Sequence, residues 1–88
     1  MNEPIHVEHN PQQQCFSAEV DGYKALLEYR RVDEHTIDMH HTYVPNELRG
    51  KGLAGVLAKT ALDYAKQQQL KVIPSCSYIA VYLKRHPQ

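Results

Sequence analysis

The sequence predicts a mixed α/β domain: an antiparallel meander, then one β-α-β crossover and a C-terminal helix, with residues 1–88 forming a single unit. Apolar residues alternate with period two from Cys15 to Val44, then recur at helical spacing from Leu53. Turn signals fall at the joints. Asp21-Gly22 separates two alternating runs, Asp33-Glu34-His35 the next two, and a glycine-rich stretch marks the change of period.

The elements follow in order. Residues 5–9 read as a short first strand, and Asn10-Pro11 with three glutamines as a loop. Phe16, Ala18 and Val20 then share one face, with Ser17 and Glu19 on the other. After the Asp21-Gly22 hairpin, Tyr23, Ala25, Leu27 and Tyr29 continue the inward face, while Glu28 and Arg30 face out. Thr36 to Val44, rich in β-branched and aromatic residues, is the last strand of the meander. Leu53, Val56, Leu57, Thr60, Ala61 and Tyr64 make an apolar helical stripe through about Gln69. Lys71-Val72-Ile73-Pro74 reads as a strand parallel to Thr36–Val44. Ser75-Cys76-Ser77 offers N-cap hydroxyls for a last helix through about Arg85, stopped by Pro87.

At 88 residues and 42% hydrophobic, the chain can build one thin core, which suits a monomer or weak homodimer. Its net charge of zero hides a segregation. Residues 1–44 hold three basic and eight acidic side chains, and residues 45–88 hold seven basic and two acidic. The second half is therefore the one that favours an anion. Its lysines are spread around a helix rather than clustered, which argues against a nucleic-acid face. Cys15 and Cys76 have neither metal-site spacing nor a disulfide framework. The N-terminus has no apolar signal region and no run approaches a membrane span, so a cytoplasmic protein without a membrane partner is expected.

The richest segment is Arg49-Gly50-Lys51-Gly52-Leu53-Ala54-Gly55. A glycine turn between strand and helix leaves backbone N–H groups unpaired at the positive end of a helix dipole, which makes an anion site. Gly50, Gly52 and Gly55 satisfy G-x-G-x-x-G. A dinucleotide fold, however, needs a later acidic residue and a second half, and no Asp or Glu follows Asp63. A P-loop needs Lys and a hydroxyl after its last glycine, where Leu53 stands. Arg49-x-x-Gly52-x-Ala54 instead matches [QR]-x-x-G-x-[GA], the pyrophosphate loop of acyl-CoA N-acyltransferases. An ordinary helix entry with glycines for tight packing is the plainer alternative.

Further segments extend the match: His41-Thr42-Tyr43-Val44-Pro45, Val72-Ile73-Pro74-Ser75-Cys76 and Tyr82-Leu83-Lys84-Arg85-His86-Pro87. Together with the glycine loop they resemble the GNAT superfamily of N-acetyltransferases, in its small single-domain, YjdJ-type branch. The resemblance covers most of residues 14–88. It implies a minimal GNAT-like fold and acetyl transfer from acetyl-CoA to a primary amine on a small molecule or protein. Coenzyme A would lie along the Tyr43–Val44 strand end with its pyrophosphate on Gly50 to Gly55, so that Arg49, Gly50, Lys51, Gly52, Leu53, Ala54 and Gly55 bind it. The larger members' helix pair between the first two strands is missing here, so the resemblance carries no acceptor identity. A non-enzymatic acyl-CoA-binding module is the alternative.

Three residues are candidates for the chemistry. Cys76 sits at a strand end and helix start, where the dipole favours thiolate, though a small buried core thiol has the same pattern. His41 shares strand parity with Ile37, Met39 and Tyr43, and its ordinary pKa near 6.5 suits a general base; a half-buried packing role fits equally. Tyr82 aligns with the tyrosine that protonates the departing thiolate in the resembled family, with Tyr78 one turn earlier on the same face. His40 and His41 point to opposite faces of a strand and cannot chelate, so no metal is expected.

Overall fold

The computed structural model describes residues 5–87. Five strands form one sheet in the order β1-β2-β3-β4-β5. They are β1 (Glu8–Asn10), β2 (Cys15–Val20), β3 (Tyr23–Asp33), β4 (Thr36–Tyr43) and β5 (Lys71–Ile73). The first four pair antiparallel, and β5 lies parallel to β4. Helix α1 (Leu53–Gln67) makes the crossover, and α2 (Ser77–Arg85) follows β5. β1 begins at Glu8, so the expected first strand is displaced toward the Asn10-Pro11 turn.

Local chemistry accounts for these elements. Asp21 and Gly22 both have positive φ, 54° and 81°, which a two-residue hairpin of matching twist requires. Phe16, Ala18, Ala25, Leu27, Tyr29, Ile37 and Met39 are buried on one sheet face. Leu53, Leu57, Ala58, Ala61, Leu62 and Ala65 of α1 close the core over them, with Ile79 from α2. Full burial of a leucine such as Leu57 contributes roughly 1.5–3 kcal/mol. Gln69 ends α1 in the left-handed region, φ 58°. Leu70 N–H donates to the Ala65 carbonyl at 2.8 Å and Gln69 N–H to that of Lys66 at 3.1 Å, a Schellman motif with glutamine where glycine is usual.

Two features of β4 shape the site. Its register against β3 runs Tyr29↔Met39 and then Glu28↔His41, which leaves His40 as an extra, bulged residue. Its parallel ladder with β5 stops at Asp38↔Ile73. Beyond that pair the two strands part, and the C-terminal half of β4 has no strand on that side.

Candidate functional site

The glycine loop opens α1 without a side-chain cap. A short 3-10 turn, Asn46–Leu48, carries the chain from β4 to Arg49 and buries Leu48. Gly50 and Gly52 then have φ of 84° and 75°. Gly52 is the N-cap, and the first intrahelical bond joins Val56 N–H to its carbonyl at 3.2 Å. The N–H groups of Leu53, Ala54 and Gly55 therefore have no partner inside the helix. A Cβ built on Gly50 or Gly52 would meet no atom within 4 Å, so the backbone is open to an incoming group. A cavity of about 230 Å³ lies against it, lined by Val44, Leu48, Arg49, Gly50, Gly52, Leu53, Ala54, Gly55 and Tyr78. Arg49 and Lys51 are exposed and have no carboxylate partner among the described residues.

Cys76 stands where β4 and β5 part. Its N–H donates to the Met39 carbonyl at 2.9 Å, and its Sγ lies 3.4 Å from Thr42 Oγ1. Cys76 itself, a thiol rather than a hydroxyl, is the N-cap of α2. Burial pushes the thiol up, but the Thr42 hydroxyl and the N–H groups of Ile79 and Tyr78 outweigh it and hold its pKa below the ordinary value. Cys15 goes the other way: burial, then the Glu28 carboxylate, raise it.

The bulge corrects the reading of His41. Past His40 the parity of β4 reverses, so Thr42 lies opposite the buried Leu27 and His41 opposite Glu28 on the outer face. His41 is exposed and does not share the face of Ile37 and Met39. Tyr43 is likewise turned out, opposite Leu26 and 50% exposed, while Val44 lines the cavity. Thr42 is thus the β4 side chain that reaches Cys76. A threonine in a β-rich run reads only as a strand former, so nothing in the residue pattern singles it out.

The structure brings Tyr78, not Tyr82, to the cavity. The Tyr78 hydroxyl lies 3.7 Å from where a Cβ on Gly55 would stand. Tyr82 lies one turn on, its ring 6.3 Å from that of Tyr78 and 4.3 Å from that of His86. Among the described residues no group of three or more His, Cys, Asp or Glu could hold a metal ion, and no helix is long and apolar enough to cross a membrane.

Residues 15–88 match the family described as GCN5-related N-acetyl-transferase. The chain belongs to that family. Its relatives include Protein NATD1 of Mus musculus, 42% identical over 86 residues, covering 96% of this chain and 78% of that protein. Protein NATD1 of Homo sapiens is 40% identical over 86 residues, with 96% and 76% covered. A GCN5-like protein from Staphylococcus aureus solved by NMR superposes with a TM-score of 0.72 at 30% identity, covering 92% of this chain and 79% of that one. Among the described residues, both helices lie on the core side of the sheet, and no helix covers the face bearing Glu28 and His41.

Proposed function

We propose that the protein is an N-acetyltransferase that takes its acetyl group from acetyl-CoA and passes it to a primary amine. One observation carries this reading: the N–H groups that open α1 face a cavity that is also lined by Val44, just past the unpaired end of β4, and by Tyr78, two residues beyond Cys76. Open space over Gly50 and Gly52 fits a pyrophosphate, which must approach backbone closely. Arg49 and Lys51 supply the countercharge. Acetyl-CoA, when bound, provides an acyl group already activated as a thioester.

The chain's own residues do the rest. The N–H groups at the start of α1 hold the polyanionic end, and Val44 and Leu48 wall the cavity. Thr42 and the first N–H groups of α2 keep the Cys76 sulfur biased toward thiolate. An amine with an ordinary pKa near 10.4 must lose a proton before it can attack, and we assign that proton to Sγ of Cys76 or to a water that it orients. Tyr78 and Tyr82 remain donors on α2, Tyr78 at the cavity and Tyr82 a turn beyond it.

An acyl-CoA-binding module without turnover is the second reading. It is favoured by the side chains at the cleft: Thr42, Cys76 and Tyr78 include no carboxylate or imidazole, and His41 faces away. Isothermal titration with coenzyme A, followed by acetyl transfer from acetyl-CoA to a panel of primary amines, tests both. Binding with transfer supports the enzyme, binding without transfer to any amine supports the module, and absence of binding overturns both.

A further inference from the structure

Asp38 stands inside β4, although aspartate is disfavoured in strands. It lies on the outer sheet face opposite Arg30, at the last pair of the parallel ladder, Asp38↔Ile73. No helix covers that face among the described residues, yet the Asp38 side chain is only 13% exposed. Its ion pair with Arg30 does not account for the residue. The guanidinium is 3.6 Å away on a side chain that is itself 67% exposed, and such a pair contributes little to stability. Oδ1 is buried without a hydrogen-bond partner, which costs stability. What the carboxylate holds is Ser75. It accepts from the Ser75 hydroxyl and from the Ser75 N–H, and the hydroxyl above all keeps its pKa below the ordinary value.

Ser75 immediately precedes Cys76. The β4–β5 ladder has ended by then, and the turn into α2 is tied to β4 through two adjacent residues. Ser75 bonds the Asp38 carboxylate, and Cys76 N–H donates to the Met39 carbonyl at 2.9 Å. We infer that Asp38 is a positioning residue: by holding Ser75 it fixes the start of α2 so that the Cys76 sulfur meets Thr42 and the first N–H groups of the helix. The inference rests on the reading of Cys76 as the thiol of the site and adds the residue that aims it. The sulfur's own partners are the Thr42 hydroxyl, 3.4 Å away, and the N–H groups of Ile79, Tyr78 and Thr42, so Asp38 acts on it through the backbone.

The rate of Cys76 alkylation by iodoacetamide against pH, read by peptide mass spectrometry with Cys15 as internal control, tests this role. Asp38→Ala should move the Cys76 curve to higher pH and slow its labelling near neutral pH by about threefold or more, as expected when donors to a thiolate are displaced. The Cys15 curve should stay in place. Asp38→Asn keeps one acceptor oxygen and should restore most of the wild-type curve. Ser75→Ala removes only the hydroxyl, so it should move the curve the same way by less, and it carries the test if Asp38→Ala does not fold. Arg30→Ala should leave the curve where it is. An unchanged Cys76 curve in the folded Asp38 and Ser75 variants overturns the inference even if melting temperatures fall, because Asp38 would then support only the sheet. An equal shift in Arg30→Ala overturns it too, since the effect would be one of charge. Coenzyme A added to the wild-type protein separates the two readings. If it fails to slow Cys76 labelling, the acyl-CoA reading falls, while the positioning role is decided by the curves alone.

Discussion

Gly52→Ala tests the cradle through a cost that the structure allows to be worked out beforehand. Gly52 caps α1 at φ 75°, in the left-handed region, and a Cβ there would meet no atom within 4 Å. The substitution therefore brings no clash, only backbone strain of about 1–2 kcal/mol. In a domain of this size that lowers the melting temperature by about 4–8 °C for each kcal/mol. Gly22 is the internal control: φ is 81° and its added Cβ also meets nothing within 4 Å, but it sits in the β2–β3 hairpin. Gly22→Ala should cost about the same in stability. The two variants then differ in one respect. At Gly52 the new methyl stands where a pyrophosphate would meet the backbone; at Gly22 it stands in solvent. Differential scanning calorimetry and titration with coenzyme A on both variants read the two effects. Similar melting shifts, with coenzyme A binding lost only in Gly52→Ala, are expected. Unchanged affinity in folded Gly52→Ala refutes the cradle, and an unchanged melting temperature refutes the strain argument.

Other outcomes follow from the same geometry. A thiol-reactive probe should label Cys76 faster than Cys15 and be slowed by coenzyme A, and Thr42→Val should reduce the Cys76 rate because one hydrogen bond to the thiolate is gone; equal labelling of both thiols would remove Cys76 from the site. Gln69→Gly should stabilise the fold by about 0.5–1 kcal/mol in urea titrations, since glycine meets the φ of 58° without strain; a loss of stability would contradict the Schellman assignment. His9 stacks on Phe16 at 4.1 Å and bonds Tyr29 Oη through Nε2 at 2.6 Å, and burial lowers its pKa. The unfolded chain then binds the proton more readily, so stability should fall as pH drops below about 6.5, and His9→Phe should flatten that fall. A pH profile identical in wild type and variant would show that the ring is not held neutral.

Much of this fold can be read from the chain because each local preference agrees with its neighbours. Asp21-Gly22 suits the hairpin in composition and adopts positive φ at both residues. The change from period two to the helical stripe at Leu53 is realised in α1, whose buried residues include Leu53, Leu57 and Ala61. The glycine loop appears where its neighbours place it, with Gly50 and Gly52 left-handed. The bulge at His40 is another matter. No glycine or special dipeptide marks it, and one inserted residue reverses every side chain after it. Uninterrupted strand parity therefore puts His41 on the core face and turns Thr42 away from it. The choice between Tyr78 and Tyr82 lay equally out of reach, because residues four apart on one helix face differ only in how far along α1 they reach.

An acyl-CoA site spanning the start of α1, the unpaired end of β4 and Cys76 would place one ligand against all three. Amide chemical-shift mapping of the labelled protein during titration with coenzyme A tests it most directly. The largest shifts are expected at Gly50–Gly55, at Thr42–Val44 and at Cys76–Ile79, with Lys24, Leu26 and Glu28 on the outer sheet face unmoved. Shifts centred on that outer face, or none at the glycine loop, would contradict it.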